Sequence, residues 1–372
     1  MENFESIRKS YPVVNNGAYL MNAAIGGIHI ETHKEIEHYS KESLFKGAIG
    51  DIRFFELLEE ARETAGSFIG LSKEEVAFSG STSLNMNFLA IMLKKSGVKK
   101  IVAPSVEFPS STIPWFHQGF EVELVEPRQG RIWEEDLISK ACPNSAVVCS
   151  GVQFLTGQRM NLVQIGEELA SKSIPFIING TQQIGQFPLE LKDIKFTAFS
   201  ASLHKWLGAD LGLSLLAMPN NEREKYCMPI AGWVSVEDPW KLSNEAPKFL
   251  KDMGAFQMGT IPFNLVAGAK KAMEIQLSIG ISNIEERVLF LSQKLITEIK
   301  ELGYSLLSPR ENSHERSGIC TFEYSDDLDS ALTELEKKNV YVNGRRGAIR
   351  ASIHFYNNEA DIELFKRALA SI

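Results

Sequence analysis

The chain has 372 residues, more than one small core needs, and two domains in one compact subunit are expected. Apolar residues make up 44% and charged residues 23%, the balance of a globular protein in water. The net charge of −8 argues against nucleic acid or an anionic membrane surface as the main partner. Cys142, Cys149, Cys227 and Cys320 are scattered, with no CxxC and no metal-ligand spacing. They predict reduced thiols of a cytoplasmic protein and no metal site. The opening MENFESIRKSYP has no apolar signal-peptide core, and no apolar run reaches membrane length.

Residues 1–18 are expected to form a short helix and an arm. They lead into Tyr19-Leu20-Met21-Asn22-Ala23-Ala24 and Gly26-Gly27, where small residues let backbone pass close to a neighbour or a ligand. From Ile52 to Ile69 the apolar positions Ile52, Phe55, Leu58, Ala61, Ala65 and Phe68 keep helical spacing, which predicts a helix packed on the core. A strand over 76–78 then enters Ser79-Gly80-Ser81-Thr82-Ser83, followed by a helix over 84–93. Strand, Gly/Ser/Thr turn and helix together aim free N–H groups and hydroxyls at an anion, and a plain helix cap has the same letters. It is not a Walker loop, because no Gly-Lys-Ser/Thr follows.

Strands over 100–103 and 121–125 are apolar enough to be covered on both faces. Between them lies Val106-Glu107-Phe108-Pro109-Ser110-Ser111, with Pro114-Trp115 beyond. Phe108, at a loop tip after a strand, either seals the core or stacks on a flat ring. A strand over 146–150 leads into residues 151–157, a helix covers 162–170, and a strand over 175–178 ends in Asn179-Gly180-Thr181-Gln182. Alternation of this kind predicts an α/β fold with a mainly parallel sheet, whose ligands sit beyond the carboxyl ends of the strands. All these polar clusters fall at such ends.

In Phe196–Met218 two apolar runs flank Lys205, with Gly208, Asp210 and Gly212 behind it. Burial disfavours an ammonium and lowers its pKa, and a lysine so treated attacks carbonyls to form a Schiff base. The plain alternative is a solvated loop lysine. After Met218 the chain becomes polar through Ala231-Gly232-Trp233 to Met258-Gly259-Thr260-Ile261-Pro262, and a helix covers 264–277. Ser282 and Glu285 suggest a capping box before a helix over 284–302. Strands over 304–307, 318–324, 340–342 and 349–352, with helices over 328–338 and 360–370, predict a smaller α+β C-terminal domain. The division is 1–18, 19–270 and 271–372, with the boundary near 265–282.

Taken together these segments resemble the class V aminotransferase group of fold-type I pyridoxal phosphate (PLP) enzymes, which includes cysteine desulfurases, kynureninase and isopenicillin N epimerase. The resemblance runs from Tyr19-Leu20-Met21-Asn22-Ala23-Ala24 to Arg350-Ala351-Ser352 and Tyr356-Asn357, and it rests on the order of short motifs. It implies that Lys205, in Ser202-Leu203-His204-Lys205, carries the cofactor as a Schiff base and moves the α-proton. It places Ser81, Thr82, Ser202 and His204 on the phosphate, Phe108 on the ring and Gln182 beside the phenolic oxygen. Ser150 opens a run to Gln158 that is similar to kynureninase, as is Trp233. Thr260 matches a residue that reaches the partner's phosphate, which implies a homodimer, with Trp233 near the same site. Arg350 matches the clamp on the substrate carboxylate, a role that suits a planar bidentate donor, and Asn22 is a further substrate contact.

Asn179 stands where the family places an aspartate against the pyridine nitrogen. A neutral amide gives a hydrogen bond worth about 0.5–1.5 kcal/mol against about 1.5–3 for a charged one, so a weaker electron sink is expected. The 342–348 loop has no cysteine, which disfavours sulfur transfer by persulfide. The expected function is transamination of an amino acid, followed by epimerisation, β-elimination or a kynureninase-like lyase reaction. A degenerate member serving only as a binding subunit is the alternative of a different class.

Overall fold

A computed structural model describes the chain apart from residues 1–3, 48, 50, 310 and 311, and the side chains of 51–53; Ile52's place in the helical pattern lies outside the described side chains. The strands in chain order are β1 (Ala18–Tyr19), β2 (Val76–Ser79), β3 (Lys100–Pro104), β4 (Glu121–Val125), β5 (Ser145–Ser150), β6 (Phe176–Asn179), β7 (Ala198–Ser202), β8 (Ser214–Ala217), β9 (Ile319–Glu323), β10 (Val340–Tyr341), β11 (Asn343–Arg345) and β12 (Ala348–Ser352). Seven form a central sheet in the order β2-β8-β7-β6-β5-β3-β4. The β3–β4, β3–β5, β5–β6 and β6–β7 pairs are parallel, and β8 runs against its neighbours β2 and β7. The fold is the expected α/β arrangement with a mainly parallel sheet.

Alternation along the inner strands fills both faces. Val147, Cys149 and Ile178 point to one side, where Leu57, Leu58, Ala61 and Phe68 of the helix Asp51–Ile69 close the core. Ala146, Val148 and Ile177 point to the other, against Leu89 and Leu93 of the helix Thr82–Lys95 and the buried Trp115. Double coverage fails at β4. It is the edge of the sheet, Glu121 and Leu124 are exposed, and Lys100 pairs with Glu123 at 2.6 Å along that rim. A charged, short edge of this kind resists pairing with another chain.

Other departures have local causes. The helix Ile30–Lys46 went unread because its buried face is thin, with only Thr32 and Ile36 fully covered. No capping box forms at Ser282, because Gly280, at φ 86°, ends the helix Phe263–Ile279 and starts the next over Ile281–Glu301. Glu285, freed from capping, pairs with Arg159 at 2.7 Å. Residues 304–307 are not a strand; Leu306 makes one isolated bridge to Phe322.

The second sheet is antiparallel, β11-β12-β9, and it is covered by the helices Ile281–Glu301 and Glu359–Leu369 through Leu291, Leu295, Ile362 and Phe365. The beginning of the chain is sewn into this region. β1 lies parallel to β10, Met21 bridges Ser352, and Arg8 grips Asp361 through two bonds of 2.7 and 2.8 Å. From there the chain crosses to the lysine turn, where the Gly26 N–H donates to the His204 carbonyl at 2.8 Å and the Gly27 N–H to the Tyr356 hydroxyl at 2.8 Å.

Candidate active site

At the carboxyl ends of β2, β3, β5, β6 and β7 a cavity of about 340 Å³ opens, with β11 and β12 supplying its far wall. Parallel strands end together there, so loops that are distant in sequence meet at one place. Ser81, Thr82, Phe108, Ser150, Asn179, Gln182, Ser202, His204, Lys205 and Arg350 all line it. Ten positions chosen from the sequence are therefore gathered in one space.

The helix Thr82–Lys95 points its N-terminus at the cavity, and the Ser81 hydroxyl caps it by accepting from the Leu84 N–H at 3.1 Å. Free N–H groups in a first helical turn, with the positive end of the dipole, favour an anion. Thr82 Oγ1 lies 2.9 Å from Ser202 Oγ and 3.3 Å from Thr181 Oγ1, so three hydroxyls cluster at that helix end. Asn85 fastens the helix to the sheet, donating to Ser200 Oγ at 2.9 Å and to the Leu215 carbonyl at 3.1 Å. His204 also lines the cavity; burial lowers its pKa to about 4, with Lys205 adding to the shift, so its ring is neutral near pH 7.

Lys205 follows β7 in a turn closed by the Gly208 N–H donating to its carbonyl at 2.9 Å. Among the described residues no carboxylate pairs with its ammonium, and Nζ lies 5.4 Å from the centre of the Phe108 ring. Burial first, then Arg350 and Arg345, lower its pKa to about 7. A large share of Lys205 is then a free amine at neutral pH, the form that adds to a carbonyl.

Asn179 sits at the end of β6 with its amide orientation fixed. Nδ2 donates to Ser111 Oγ at 2.9 Å and Oδ1 accepts from the Thr181 N–H at 3.0 Å. Behind it the buried Glu107 carboxyl takes the Ser150 N–H at 2.6 Å, the Ser150 hydroxyl at 2.5 Å and the Gln153 amide at 3.1 Å, and is reached by Ser111 as well. Burial raises the Glu107 pKa against these donors. Gln182 is held at both ends of its amide, by the Ala23 carbonyl at 3.0 Å and the Trp206 indole at 2.7 Å. Phe108 is 44% exposed, so it covers the mouth of the cavity and does not seal the core; Phe154 meets it edge-on at 5.4 Å.

Arg350, 1% exposed, donates to the Phe154 carbonyl at 2.7 Å and to Asn343 Oδ1 at 3.4 Å, while its Nε has no partner. Burial lowers its pKa to about 9, and Arg345 adds to the shift. A buried guanidinium without a carboxylate is expensive, and an anionic ligand offsets that cost.

Three of the sequence-chosen residues stand elsewhere. Asn22 is fully buried behind the wall, donating to the Ser352 carbonyl at 2.8 Å and accepting from the Tyr356 hydroxyl. Trp233 packs edge-on with Trp240 at 5.4 Å and Phe55 at 6.2 Å, with Gly259 beneath it and Thr260 exposed next in the chain, away from the cavity of their own subunit. The sequence reading missed Arg345, Thr181 and Phe154, which also line the cavity. Alternation counted back from Arg350 lands on 348 and 346; only the hairpin register, with Arg345 opposite Ala348, brings Arg345 to the face of Arg350.

The hydroxyl cluster at a helix start, the unpaired lysine and the half-exposed aromatic fit a flat ring carrying a phosphate and an aldehyde. A probable cysteine desulfurase of Methanothermobacter thermautotrophicus is 23% identical, covering 99% of this chain and 98% of its own length. A kynureninase of Shouchella clausii is 26% identical, covering 83% of this chain and 76% of its own length. The apo structure of a cysteine desulfurase from Thermococcus onnurineus superposes with a TM-score of 0.90 at 21% identity, over 100% of this chain and 98% of that one. The Aminotransferase class-V model matches residues 18–365, a span that takes in every loop around the cavity, and on that match the chain belongs to this family of pyridoxal 5′-phosphate enzymes.

Proposed function

We propose that the protein transforms an amino acid through Lys205, with transamination as its reaction. The observation that carries this is the pairing, in one cavity, of a lysine with its pKa lowered to about 7 and a buried arginine that has no carboxylate partner among the described residues. Pyridoxal phosphate supplies, when bound, an aldehyde for amines and a conjugated ring that takes up the electron pair left when a bond to Cα breaks. Ser81, Thr82, Ser202 and the helix N–H groups would hold its phosphate, Phe108 would cover the ring, and Asn179 and Gln182 would meet the ring edge. Arg350 would bind the substrate carboxylate in a bidentate grip and so fix the orientation of the bonds at Cα. Lys205, poised near neutrality, takes the proton from Cα and returns it. The neutral His204 stays a hydrogen-bond donor without adding charge.

A lyase reaction is the second reading, favoured by the desulfurase and kynureninase relatives. Persulfide transfer has no thiol here, since no cysteine lines the cavity among the described residues. Trp233 and Thr260 would serve the site only as residues of the partner in a homodimer. We take 19–270 and 271–372 as the large and small domains.

The test is reconstitution with pyridoxal phosphate, followed by borohydride and a panel of amino acids. A visible band that borohydride removes, absent in Lys205→Ala, is expected. Conversion to the pyridoxamine form marks transamination; alanine from a β-substituted amino acid, or ammonia with a 2-oxo acid, marks the lyase. A colourless protein that stays colourless with added cofactor would mean a binding subunit and would end the enzymatic reading.

A further inference from the structure

Arg345 belongs to neither the cofactor cradle nor the clamp described above, yet it lines the same cavity as Arg350. The two lie on a hairpin whose turn residues, Arg346 and Gly347, have φ of 49° and 77°, the left-handed pair that a two-residue type I′ turn requires. That turn sets the register, with Asn343 opposite Arg350 and Arg345 opposite Ala348. Side chains alternate, so positions 343, 345, 348 and 350 share one face, and the arginines are diagonal neighbours whose Cα atoms are roughly 7 Å apart. A slip of one residue would turn Arg345 away from the cavity.

Neither guanidinium has a carboxylate partner among the described residues. Arg345 donates to the neighbouring Gly344 carbonyl at 2.7 Å, and among the described residues no aspartate or glutamate lines the cavity. The bound molecules must therefore supply the anions. The cofactor's phosphate is taken by the helix start and the hydroxyls, and one substrate carboxylate by Arg350. One cation is left over, facing the same space.

Resting on the reading of the protein as an enzyme of amino acids, we propose that Arg345 binds a second carboxylate and that the substrate is a dicarboxylic amino acid. The diagonal spacing suits two or three carbons between the acid groups, the size of aspartate or glutamate. A planar donor that offers two parallel N–H groups distinguishes a carboxylate from its amide, which presents one oxygen and one donor.

The experiment titrates the cofactor band of the reconstituted enzyme with L-glutamate, L-glutamine, L-aspartate and L-asparagine. Each acid is expected to bind at least tenfold tighter than its amide. Arg345→Gln should reduce that ratio below threefold, and Arg345→Lys should keep part of it. Calorimetry with glutarate and butyrate on the same protein reads the two cations without amino-acid chemistry, and glutarate should lose its advantage in Arg345→Gln. A wild-type ratio below threefold, or a ratio that survives Arg345→Gln, overturns the proposal. So does an equal loss for acid and amide, which would place Arg345 on the α-carboxylate beside Arg350. If amino acids leave the band unchanged while glutarate binds through Arg345, the amino-acid reading falls and the two-cation site stands. If amino acids shift the band but glutarate and butyrate bind alike, the site falls and the enzyme remains.

Discussion

Replacing Asn179 by aspartate puts a carboxylate at the end of β6, and the surroundings predict that the apoprotein will resist it. The Asn179 amide gives a hydrogen to Ser111 Oγ at 2.9 Å, and Ser111 in turn reaches the buried Glu107 carboxyl. The serine hydroxyl has one proton, so in Asn179→Asp two carboxylates compete for it. Two hydrogen bonds in series put their oxygens about 5 Å apart, and at an effective dielectric of about 20 their repulsion is about 3 kcal/mol. The lost amide bond adds about 1 kcal/mol. Denaturant unfolding of the apoprotein at pH 8 should show this loss of about 3–4 kcal/mol. Burial already favours the protonated form of Glu107, so the penalty must shrink as pH falls through the carboxyl range and one of the two acids takes a proton. Adding Glu107→Gln should return at least half of it at pH 8. A variant as stable as the parent at pH 8, or a loss that ignores both pH and Glu107→Gln, would refute the reasoning. The same chemistry accounts for the amide in the native chain: an acidic group, Glu107, already occupies the shell behind position 179.

The depressed pKa of Lys205 links stability to pH. The folded site favours the free amine while the unfolded chain holds its proton up to the ordinary lysine range, so stability rises between about pH 7 and 10.5. Measured as the difference between the parent and Lys205→Met apoproteins, the rise should be about 3–5 kcal/mol, and a flat difference would contradict it. Gly26 is fixed by contact, because a Cβ there would lie 1.8 Å from the Lys205 carbonyl oxygen. Gly26→Ala should push the lysine turn outward and lower stability by about 1–3 kcal/mol, with cofactor capacity falling alongside. Calorimetric melting and a titration of the visible band would check both.

Much of the site was legible because the chemistry sits where buried strands end. The runs 146–150 and 175–178 are apolar through both faces, so the polar residues after them had to mark the sheet's edge and hence the ligand. Lys205 was legible for the same reason, lying between two such runs. The sheet margin was misread: β4, Glu121-Val122-Glu123-Leu124-Val125, alternates glutamate with apolar residues, the mark of an open face, while its outermost place is a long-range property. Arg345 was missed through its turn: the Asn343-Gly344 pair, the usual hairpin signal, lies within β11, while the turn falls on Arg346 and Gly347, with Arg346 in a left-handed conformation usually left to asparagine or glycine. Asn22 lies in a motif of small residues that approaches the site, but its amide ties Ser352 to Tyr356.

The seam between the two ends of the chain bears on when the protein becomes competent. Gly26 braces the lysine turn while its neighbour Gly27 is anchored by Tyr356, and β1 pairs with residues 340–341. At about 5–20 residues per second a ribosome needs roughly 20–70 s to deliver them. Until then the early segment waits without its partner, and the vitamin has no finished socket to enter. Removing residues 340–356 should therefore cost cofactor binding even though Lys205 itself is intact, which a titration of the visible band would check.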